Sequence, residues 1–477
     1  MAHLAEDAAR HVLDRYVSRT PTSSKLHEEA KKWLPGGDTR TINHFSPYPV
    51  FMSHGAGCVL TDVDGNEYLD FCNNMSAIVH GHAHPVLVQA AAEQISLGTA
   101  LGTVAEVQVR HAEAVCRRVP SVESVRYCNS GTEATMMALR AARAFTGRDV
   151  IVKIDGGYHG LHDDAEINMF TGMTEPRYPQ AGLPESFPLA QPARGVPVGR
   201  TRDVLLLPYN DLAAAEELLD RRGQDIAALI VEPMMGAAGC IPGDVDYLRG
   251  LRRLTADRGV LLIFDECATF RMGPLQARYG ITPDLTSLSK IIGGGLPLGA
   301  FGGRADIMAQ FDPTRPNPVY HAGAFAGNNL SLAVGLAALD TYGADEVTRL
   351  NAMGERLIRD IPVAAREAGV MMQVTGVGSL ANLHWGDGPI RSPQDVAARA
   401  AGLGDLPELL HLELMNRGVY VSRRGLFALS TPMTDEHLDT FVTAVRDALT
   451  QLRPHVAEQA PHLLHEAPAA SGTGSLR

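Results

Sequence analysis

Two short stretches, Ile226-Ala-Ala-Leu-Ile-Val-Glu-Pro233 and Val260-Leu-Leu-Ile-Phe-Asp-Glu266, decide the fold of this 477-residue chain. Each is an uninterrupted apolar run that ends in a carboxylate, and a third apolar run is Val150-Ile-Val-Lys-Ile154. Strands that are apolar on both faces are buried on both faces, as in parallel sheets covered by helices. Such runs alternate with helix-length segments from about residue 85 to 340. The sequence therefore predicts an α/β fold with a large, mostly parallel sheet.

The flanking segments predict a smaller α+β domain built from both ends of the chain. Residues 1–35 have the pattern of a helix, and residues 57–71 alternate as two strands around the tight turn Asp64-Gly65. Six prolines make residues 171–200 a long irregular loop, and a last helix is predicted over about 435–453.

These patterns predict four parts of the chain. They are an N-terminal segment of the small domain (1–75), the large domain (76–340), the C-terminal part of the small domain (341–455) and a flexible tail (456–477).

Composition excludes several classes of protein. The net charge is -12, and the basic residues are scattered, so the chain has no electrostatic footprint for nucleic acid. No apolar stretch approaches the roughly 18 residues of a membrane span. Six cysteines form no C-x-x-C pair and no signal segment opens the chain, so we expect a cytoplasmic protein without a membrane partner.

The lysine count singles out one residue. Of 42 basic side chains only five are lysines, and 37 are arginines. Lys25, Lys31 and Lys32 lie in the polar N-terminal segment, and Lys153 lies in a strand-like run. Lys290 instead follows the run Leu285-Thr-Ser-Leu288 and precedes Ile-Ile-Gly-Gly-Gly, where no solvent-facing role is evident.

Chemically distinctive residues follow the predicted strands. Ligands of an open parallel sheet bind at the carboxyl ends of its strands, so these positions are the place to search. In chain order they are Asn129-Ser-Gly-Thr-Glu133, Gly156-Gly-Tyr-His-Gly160, Glu232, Asp265-Glu266 and Lys290. Ser130 with Glu133 fits a capping box that opens a helix, and a helix start is a phosphate site.

These groups suit one kind of ligand, a phosphorylated pyridine aldehyde. A lysine amine bonds the aldehyde, a carboxylate keeps the pyridine nitrogen protonated, an aromatic side chain stacks on the ring and the helix start holds the phosphate. The sequence thus predicts pyridoxal 5'-phosphate as cofactor.

The same motifs resemble those of the class III, fold-type I pyridoxal-phosphate aminotransferases from about Leu34 to Pro432. They are Asn129–Glu133, Gly157-Tyr-His-Gly160, Val231-Glu-Pro233, Phe264-Asp-Glu266 and Ser289–Gly295. Leu34-Pro-Gly-Gly is most similar to the glutamate-1-semialdehyde aminomutase branch. Within it, Pro35–Arg40, Gly239–Gly243, Gly299–Arg304 and Ser422-Arg-Arg-Gly425 resemble aminotransferases of aromatic β-amino acids, of the β-phenylalanine type.

The resemblance implies a role for each candidate residue. Lys290 would be the Schiff-base and proton-shuttle lysine, and Asp265 would hold the pyridine nitrogen. Tyr158 would stack on the ring, Glu232 would support Asp265 or the ring hydroxyl, and Ser130, Gly131 and Thr132 would hold the phosphate. The implied protein is a homodimer with shared active sites that acts on a small-molecule amino donor and a keto acceptor.

Two arginines fall where the β-amino acid enzymes hold substrate carboxylates. These are Arg40 and Arg424, with Arg423 as the adjacent alternative because neighbours on a strand point to opposite faces. A guanidinium grips a carboxylate through two bonds. An ordinary surface role is the competing interpretation for each in so arginine-rich a chain.

The chain departs from the family at two positions. Ala324 replaces a threonine whose hydroxyl reaches the phosphate of the neighbouring subunit's cofactor, so Ala324 would lie against that cofactor without the hydrogen bond. Asn74 stands where the β-amino acid enzymes have an acidic residue near the substrate, which leaves the substrate open.

The sequence also bears on several alternative functions. The reaction is expected to be ping-pong amino transfer, and an aminomutase is the alternative because it uses the same residues. A metal site at His80-Gly-His-Ala-His84 is disfavoured, because this segment resembles a family motif. A calcium loop near Asp62 lacks the required glycine. No nucleotide-binding glycine motif is present, and a DNA-binding regulator would need a domain that the first 35 residues are too short to form.

Overall fold

The computed structural model describes residues 2–169 and 177–465. Its helices are α1 (Ala2–Arg19), α2 (Pro21–Ala30), α3 (Asn73–Ser76), α4 (Pro85–Leu97), α5 (Glu106–Arg118), α6 (Gly131–Thr146), α7 (Leu212–Arg222), α8 (Val245–Asp257), α9 (Leu275–Tyr279), α10 (Ala305–Met308), α11 (Asn329–Thr341), α12 (Ala344–Glu367), α13 (Pro393–Ala400), α14 (Leu406–Asn416) and α15 (Asp435–Gln459).

The strands are β1 (Met52–Ala56), β2 (Val59–Asp62), β3 (Glu67–Asp70), β4 (Ser124–Cys128), β5 (Val150–Ile154), β6 (Val204–Leu207), β7 (Ile226–Val231), β8 (Met234–Met235), β9 (Ile241–Pro242), β10 (Leu261–Asp265), β11 (Leu285–Ser289), β12 (Gly299–Gly303), β13 (Met372–Val377), β14 (Leu380–Trp385), β15 (Val419–Tyr420) and β16 (Leu426–Ala428). Short 3-10 turns include Pro35–Gly37, Thr269–Met272 and Lys290–Gly293.

A seven-stranded sheet forms the centre of the molecule, in the order β4-β12-β11-β10-β7-β5-β6. Only β12 runs antiparallel to its two neighbours, β4 and β11. The other neighbouring pairs are parallel, so six strands end at one edge of the sheet. This confirms the predicted α/β class and its mostly parallel sheet.

The apolar runs form the strands predicted from them. β5 and β7 have the predicted bounds, and β10 begins one residue later than Val260 and includes Asp265. Every residue of these three strands is buried, because helices cover both faces of the sheet. The runs could be located from sequence since their burial requires apolar side chains on both faces.

Smaller sheets surround this core. One has the order β1-β2-β3-β15 and another the order β13-β14-β16, so strands from both ends of the chain take part. β2 and β3 are antiparallel across the turn at Asp64-Gly65, as predicted. α1 packs on α14 and α15. The division at residues 75, 340 and 455 stays a prediction.

Three sequence expectations need correction. The N-terminal helix is interrupted, because Pro21 has no N–H to continue α1 and instead begins α2. α15 continues through Pro454 to Gln459, since the buried side chains of Leu452 and Val456 outweigh the one hydrogen bond that proline cannot donate.

The chain also stays ordered beyond α15. The N–H of Met371 donates to the carbonyl of Leu463 at 2.7 Å. The prediction that a flexible tail begins at residue 456 is therefore wrong. The rest of that tail, residues 466–477, lies outside the described residues, as do residues 170–176 of the proline-rich loop. Residues 177–197 form no helix or strand, as predicted for this loop.

Among the described residues, no helix combines the length and apolar character needed to cross a membrane.

Candidate active site

The predicted site residues lie at the carboxyl edge of the central sheet. Ser130 follows β4, Tyr158 follows β5, Glu232 follows β7, Asp265 ends β10 and Lys290 follows β11. The parallel register places Asp265 beside Ser287 of β11, three residues before Lys290. The structure therefore brings this set together as the sequence predicts.

Asp265 is a buried carboxylate that is held from three directions. Its Oδ2 lies 2.9 Å from His159 Nδ1, and its Oδ1 accepts from the Cys267 N–H at 3.1 Å and from Ser287 Oγ at 3.0 Å. Burial acts to raise the pKa of Asp265, but the hydrogen bonds, chiefly that of His159, lower it below its usual value. Asp265 is therefore a fixed anion at neutral pH.

The neighbouring carboxyl group, Glu232, has a raised pKa, in contrast to Asp265. Its carboxylate accepts from the Gly236 N–H at 3.0 Å and from the Tyr158 N–H at 3.4 Å. Burial and the negative charge of Asp265 raise the pKa of Glu232 to about 8. Two neighbouring carboxyl groups thus titrate far apart, a pattern that assigns different roles to them.

Lys290 lies half-buried in a left-handed conformation with φ of 58°. A non-glycine residue adopts this conformation rarely, and such strain clusters at functional sites. Within residues 2–169 and 177–465, its ammonium group makes neither a hydrogen bond nor an ion pair. Its charge lowers the pKa of Glu232 in part, so the two side chains are near each other.

The start of α6 faces the same edge. Ser130 Oγ accepts from the Glu133 N–H at 3.2 Å, which is one half of the predicted capping box. The other half differs, because Glu133 Oε2 accepts from the Asn129 N–H at 2.6 Å instead of that of Ser130. A side chain at Gly131 would place its Cβ 3.2 Å from Cys267 Sγ, so Gly131 permits close approach of the helix start to the loop after β10.

These residues fit pyridoxal phosphate. The N–H groups of the first helical turn lack intrahelical acceptors, which suits a phosphate. Asp265 offers a buried anion for a protonated ring nitrogen, and Lys290 offers an amine without a partner among the described residues. Tyr158 is half-buried on the turn after β5, and burial together with the charges of Asp265 and Glu232 raises the pKa of its hydroxyl, so its side chain is near both carboxyl groups.

Arg40 and Asn74 lie against each other at the surface. Arg40 Nη1 donates to Asn74 Oδ1 at 2.9 Å, and both residues are exposed. Because position 74 holds asparagine and not an acidic residue, Arg40 is paired there with a neutral amide and not with a carboxylate.

Arg424 lines a cavity of about 670 Å³ together with Arg423. Gly156 and Gly239, which follow β5 and β8 in the chain, also line this cavity. Burial and the positive charge of Arg423 lower the pKa of Arg424, so the two guanidinium groups are close. The structure thus separates two cationic positions, one at Arg40 and one at Arg424.

Ala324 is exposed in the turn that precedes α11. Its neighbour Phe325 is also exposed, at 63% of its surface.

The histidines of the 80–84 segment have separate partners. His82 Nε2 lies 2.7 Å from Asp70 Oδ2, and His80 Nε2 lies 3.0 Å from Thr341 Oγ1. Among the described residues, no group of three His, Cys, Asp or Glu side chains could hold a metal ion.

Sequence reasoning missed two buried residues of this region. No role was predicted for His159, which follows Tyr158 in the sequence. In the structure it is the main hydrogen-bond partner of Asp265, 106 positions away. Lys153 is fully buried and its Nζ donates to the carbonyl groups of Ala165 at 2.8 Å and Ile167 at 2.5 Å. A lysine inside an otherwise apolar strand was the available signal for Lys153.

The fold and the site together define a fold-type I pyridoxal-phosphate-dependent transferase. The chain belongs to the class III aminotransferases, since the family model Aminotransferase class-III matches residues 42–449. This family depends on pyridoxal phosphate, so the protein is a pyridoxal-phosphate-dependent aminotransferase.

Relatives and solved structures agree with this assignment. The chain is 39% identical to β-phenylalanine transaminase of Variovorax paradoxus over 93% of its length and 96% of that protein. It is 38% identical to glutamate-1-semialdehyde 2,1-aminomutase of Methanothermobacter thermautotrophicus, over 90% and 99% of the two chains. The structure of an omega-transaminase from Sphaerobacter thermophilus superposes with a TM-score of 0.85, at 39% identity over 92% and 99% of the two chains.

Proposed function

We propose that this aminotransferase moves an amino group between a β-amino, or other non-α-amino, carboxylic acid and a keto acid by a ping-pong mechanism. The observation that carries the proposal is the convergence of Lys290 and the anionic Asp265 at one sheet edge, and the separate positions of Arg40 and Arg424 suit two carboxylates. The similarity to a β-phenylalanine transaminase supports the β-amino acid class.

Each residue of the site has a distinct task in this proposal. Lys290 Nζ would bond the cofactor aldehyde and, once released by the donor amine, would serve as the base and acid that moves a proton between substrate and cofactor. Bound pyridoxal phosphate supplies a ring that withdraws electrons from the substrate carbon.

Asp265 and Glu232 set the charge around the ring. Asp265, whose lowered pKa keeps it ionised, holds a proton on the pyridine nitrogen. Glu232, whose raised pKa of about 8 leaves it largely protonated at neutral pH, places a neutral donor beside Asp265 or the ring hydroxyl. Tyr158 stacks on the ring, and Ser130, Gly131 and Thr132 hold the phosphate.

Arg40 and Arg424 bind substrate carboxylates in this proposal. Both residues are exposed in this structure, and a hydrogen bond between charged groups contributes about 1.5–3 kcal/mol. Arg40→Ala should therefore raise the Michaelis constant of one substrate of the ping-pong pair roughly tenfold or more, and Arg424→Ala should affect the other substrate more strongly. Arg221→Ala, which removes only an exposed ion pair with Glu217, is the control.

The test is steady-state kinetics of all three variants over a panel of β-amino, α-amino and non-carboxylate amines. Equal weakening of both substrates by both variants would make the arginines structural and remove the β-amino acid assignment.

We infer that the active enzyme is a homodimer with shared sites. Leu97, Val104 and Val109 are 72%, 83% and 69% exposed, and Tyr320 is 83% exposed near Ala324. A second copy that covers these apolar side chains would bring Ala324 to the neighbouring cofactor.

A cytoplasmic location forms part of the proposal, because all six cysteines are free thiols.

An aminomutase is the second candidate. The similarity to glutamate-1-semialdehyde 2,1-aminomutases favours it, and such a reaction would use the same Lys290 and Asp265. The two candidates differ in whether a single amino substrate sustains turnover.

A further inference from the structure

Arg271 is a completely buried arginine in the turn Thr269–Met272 that follows β10. Its Nε donates to Ser379 Oγ at 3.2 Å, its Nη1 to the Ser76 carbonyl at 3.1 Å, and its Nη2 to the Leu429 carbonyl. Within the described parts of the chain no carboxylate pairs with it. Burial lowers the pKa of Arg271 to about 10, so the side chain remains a cation at neutral pH.

A buried cation without a carboxylate is costly to maintain, and its three directional bonds join separate segments of the chain. Ser76 lies after β3, Ser379 lies between β13 and β14, and Leu429 follows β16. Arg271 itself lies six residues after Asp265. It thus ties the loop that carries the cofactor-site carboxylate to three segments of the smaller sheets.

One of these segments is strained. All four residues of α3 have positive φ, with values of 47°, 48°, 55° and 68° from Asn73 to Ser76. Four consecutive non-glycine residues in the left-handed region persist only where the surroundings hold them.

Contacts hold this turn at both ends. At its start, Asp70 Oδ1 accepts from the N–H groups of Cys72 at 2.9 Å and Asn73 at 2.8 Å, and Asn73 Nδ2 donates to the Ala428 carbonyl at 2.7 Å. At its end, Arg271 binds the carbonyl of Ser76.

The turn carries a side chain that accepts a hydrogen bond from the guanidinium group of Arg40. Asn74 Oδ1 accepts from Arg40 Nη1 at 2.9 Å, so the backbone conformation of the turn sets where the amide meets the guanidinium. Both residues are exposed, and the backbone N–H of Arg40 also donates to Asp38 Oδ1 at 3.0 Å, so Asp38 holds the backbone while Asn74 holds the guanidinium group.

We propose that Arg271 is a positioning residue that holds the left-handed turn Asn73–Ser76 and, through Asn74, orients Arg40 for a substrate carboxylate. The proposal rests on the proposed function in its assignment of Arg40. It extends that function by making the affinity for one substrate depend on a side chain that touches neither substrate nor cofactor.

The first test is hydrogen exchange on the intact holoenzyme, with Arg271→Lys as the main variant. Lysine keeps the charge but cannot reach three acceptors in fixed directions. The amides of Ser76, Ala77 and Ile78, which donate to the carbonyls of Cys72, Asn74 and Asn73 respectively, should exchange at least about tenfold faster in the variant. Arg148→Lys is the control, because Arg148 Nη1 likewise donates to backbone carbonyls from separate segments, including those of Ile226 and Gly259 at 3.0 Å.

The second test is a split in the Michaelis constants. One of the two substrates is the one whose binding Arg40→Ala weakens. Arg271→Lys should raise the Michaelis constant of that substrate by about tenfold and change the Michaelis constant of the other substrate by less than about twofold. The double variant should weaken that substrate no further than Arg40→Ala alone. Ser379→Ala removes a single acceptor of Arg271 and should cause a smaller change in the same direction, which keeps the test valid if Arg271→Lys folds poorly.

The two readouts separate the possible failures. Unchanged exchange of the turn in both Arg271→Lys and Ser379→Ala would overturn the proposal, as would faster exchange with an equal rise in both Michaelis constants. If Arg40→Ala itself shows no bias between substrates, the role of Arg40 fails, and the proposal that Arg271 orients it for a carboxylate fails with it, even where exchange shows that Arg271 holds the turn.

Discussion

At the scale of single residues, hydrogen bonding decides which carboxyl group of the site is charged. Asp265 and Glu232 are both buried, but Asp265 receives hydrogen bonds from His159, Cys267 and Ser287. Glu232 receives two backbone bonds and also faces the charge of Asp265. The same burial therefore leaves one group anionic and the other neutral.

Lys290→Ala should leave a folded protein that retains the cofactor without a covalent bond and has no measurable turnover. The reason is that, within the described residues, Lys290 is the lysine that follows a strand at the carboxyl edge, whereas Lys153 lies inside β5 with its amine bound to the carbonyls of Ala165 and Ile167. Borohydride reduction followed by peptide mass spectrometry should find the cofactor fixed to Lys290 in the wild type and to no lysine in the variant. Fixation to Lys153, the other buried lysine, would contradict the assignment.

Glu232→Gln should change the pH dependence of stability. Below the ordinary glutamate pKa, the folded and unfolded states are both protonated. Between that value and about 8, Glu232 loses its proton in the unfolded state but keeps it in the folded state. Glu232 therefore lowers the free energy of unfolding, and this destabilisation increases as the pH rises. Glutamine removes this cost, so the melting temperature of cofactor-free protein should rise by about 1–3 °C at pH 8 relative to wild type and show less gain at pH 5.

The control for this pH effect is Glu216→Gln, an exposed substitution on α7 that should give no pH-dependent gain. An equal gain at both pH values for Glu232→Gln would mean that the glutamate is not neutral in the folded protein.

How much of the site could be predicted from sequence depends on whether a residue carries its own signal. Lys290 could be found because lysine is rare in this chain, and Asp265 because it ends an apolar run. The contact of His159 with Asp265 joins two strands whose order only the folded sheet supplies, and the Arg40–Asn74 contact spans 34 positions through a left-handed turn. No local pattern encodes such contacts.

At the scale of elements, the start of α6 combines a structural cap with a place for phosphate. Ser130 closes the first turn by accepting from Glu133, and the remaining N–H groups face the site. Asp211 caps α7 in the same way, with its Oδ1 accepting from the Ala214 N–H at 2.9 Å.

Ser130→Ala and Asp211→Ala should each cost about 0.5–2 kcal/mol of stability, because each removes one cap. Only Ser130→Ala should also speed the loss of cofactor on dialysis, since its hydroxyl is proposed to hold the phosphate. Thermal unfolding and cofactor absorbance after dialysis measure the two effects. Equal cofactor retention by the two variants would limit Ser130 to capping.

Strands were easier to predict than helix ends. β5 and β7 are apolar throughout because both faces are covered, and this leaves a complete signal in the sequence. The break between α1 and α2 and the continuation of α15 through Pro454 depend instead on which side chains are buried nearby. Proline marks a position where a helix can end, and packing decides whether it does.

At the scale of the whole molecule, the second copy in the proposed homodimer would cover the exposed apolar side chains around α4, α5 and the turn at Ala324. In that arrangement Ala324 would lie at the partner's cofactor phosphate without a hydroxyl.

Ala324→Thr should therefore slow cofactor loss during dialysis, because one hydrogen bond to a charged phosphate contributes about 1.5–3 kcal/mol. The effect should be present in the dimer fraction isolated by size exclusion and absent from any monomer. Ala322→Thr, two residues earlier in the same exposed segment, is the control. Unchanged retention in Ala324→Thr would mean that the turn does not reach the phosphate or that backbone groups already satisfy it.

The central claim, that Lys290 and its neighbours perform two separate half-reactions, is tested most directly by a single-substrate experiment. Purified holoenzyme is mixed with the best amino donor of the panel in the absence of a keto acid, and the product and the cofactor absorbance are followed together. We expect about one keto product per subunit, then no further reaction until a keto acid is added. Sustained conversion of the single substrate would contradict it and identify an aminomutase.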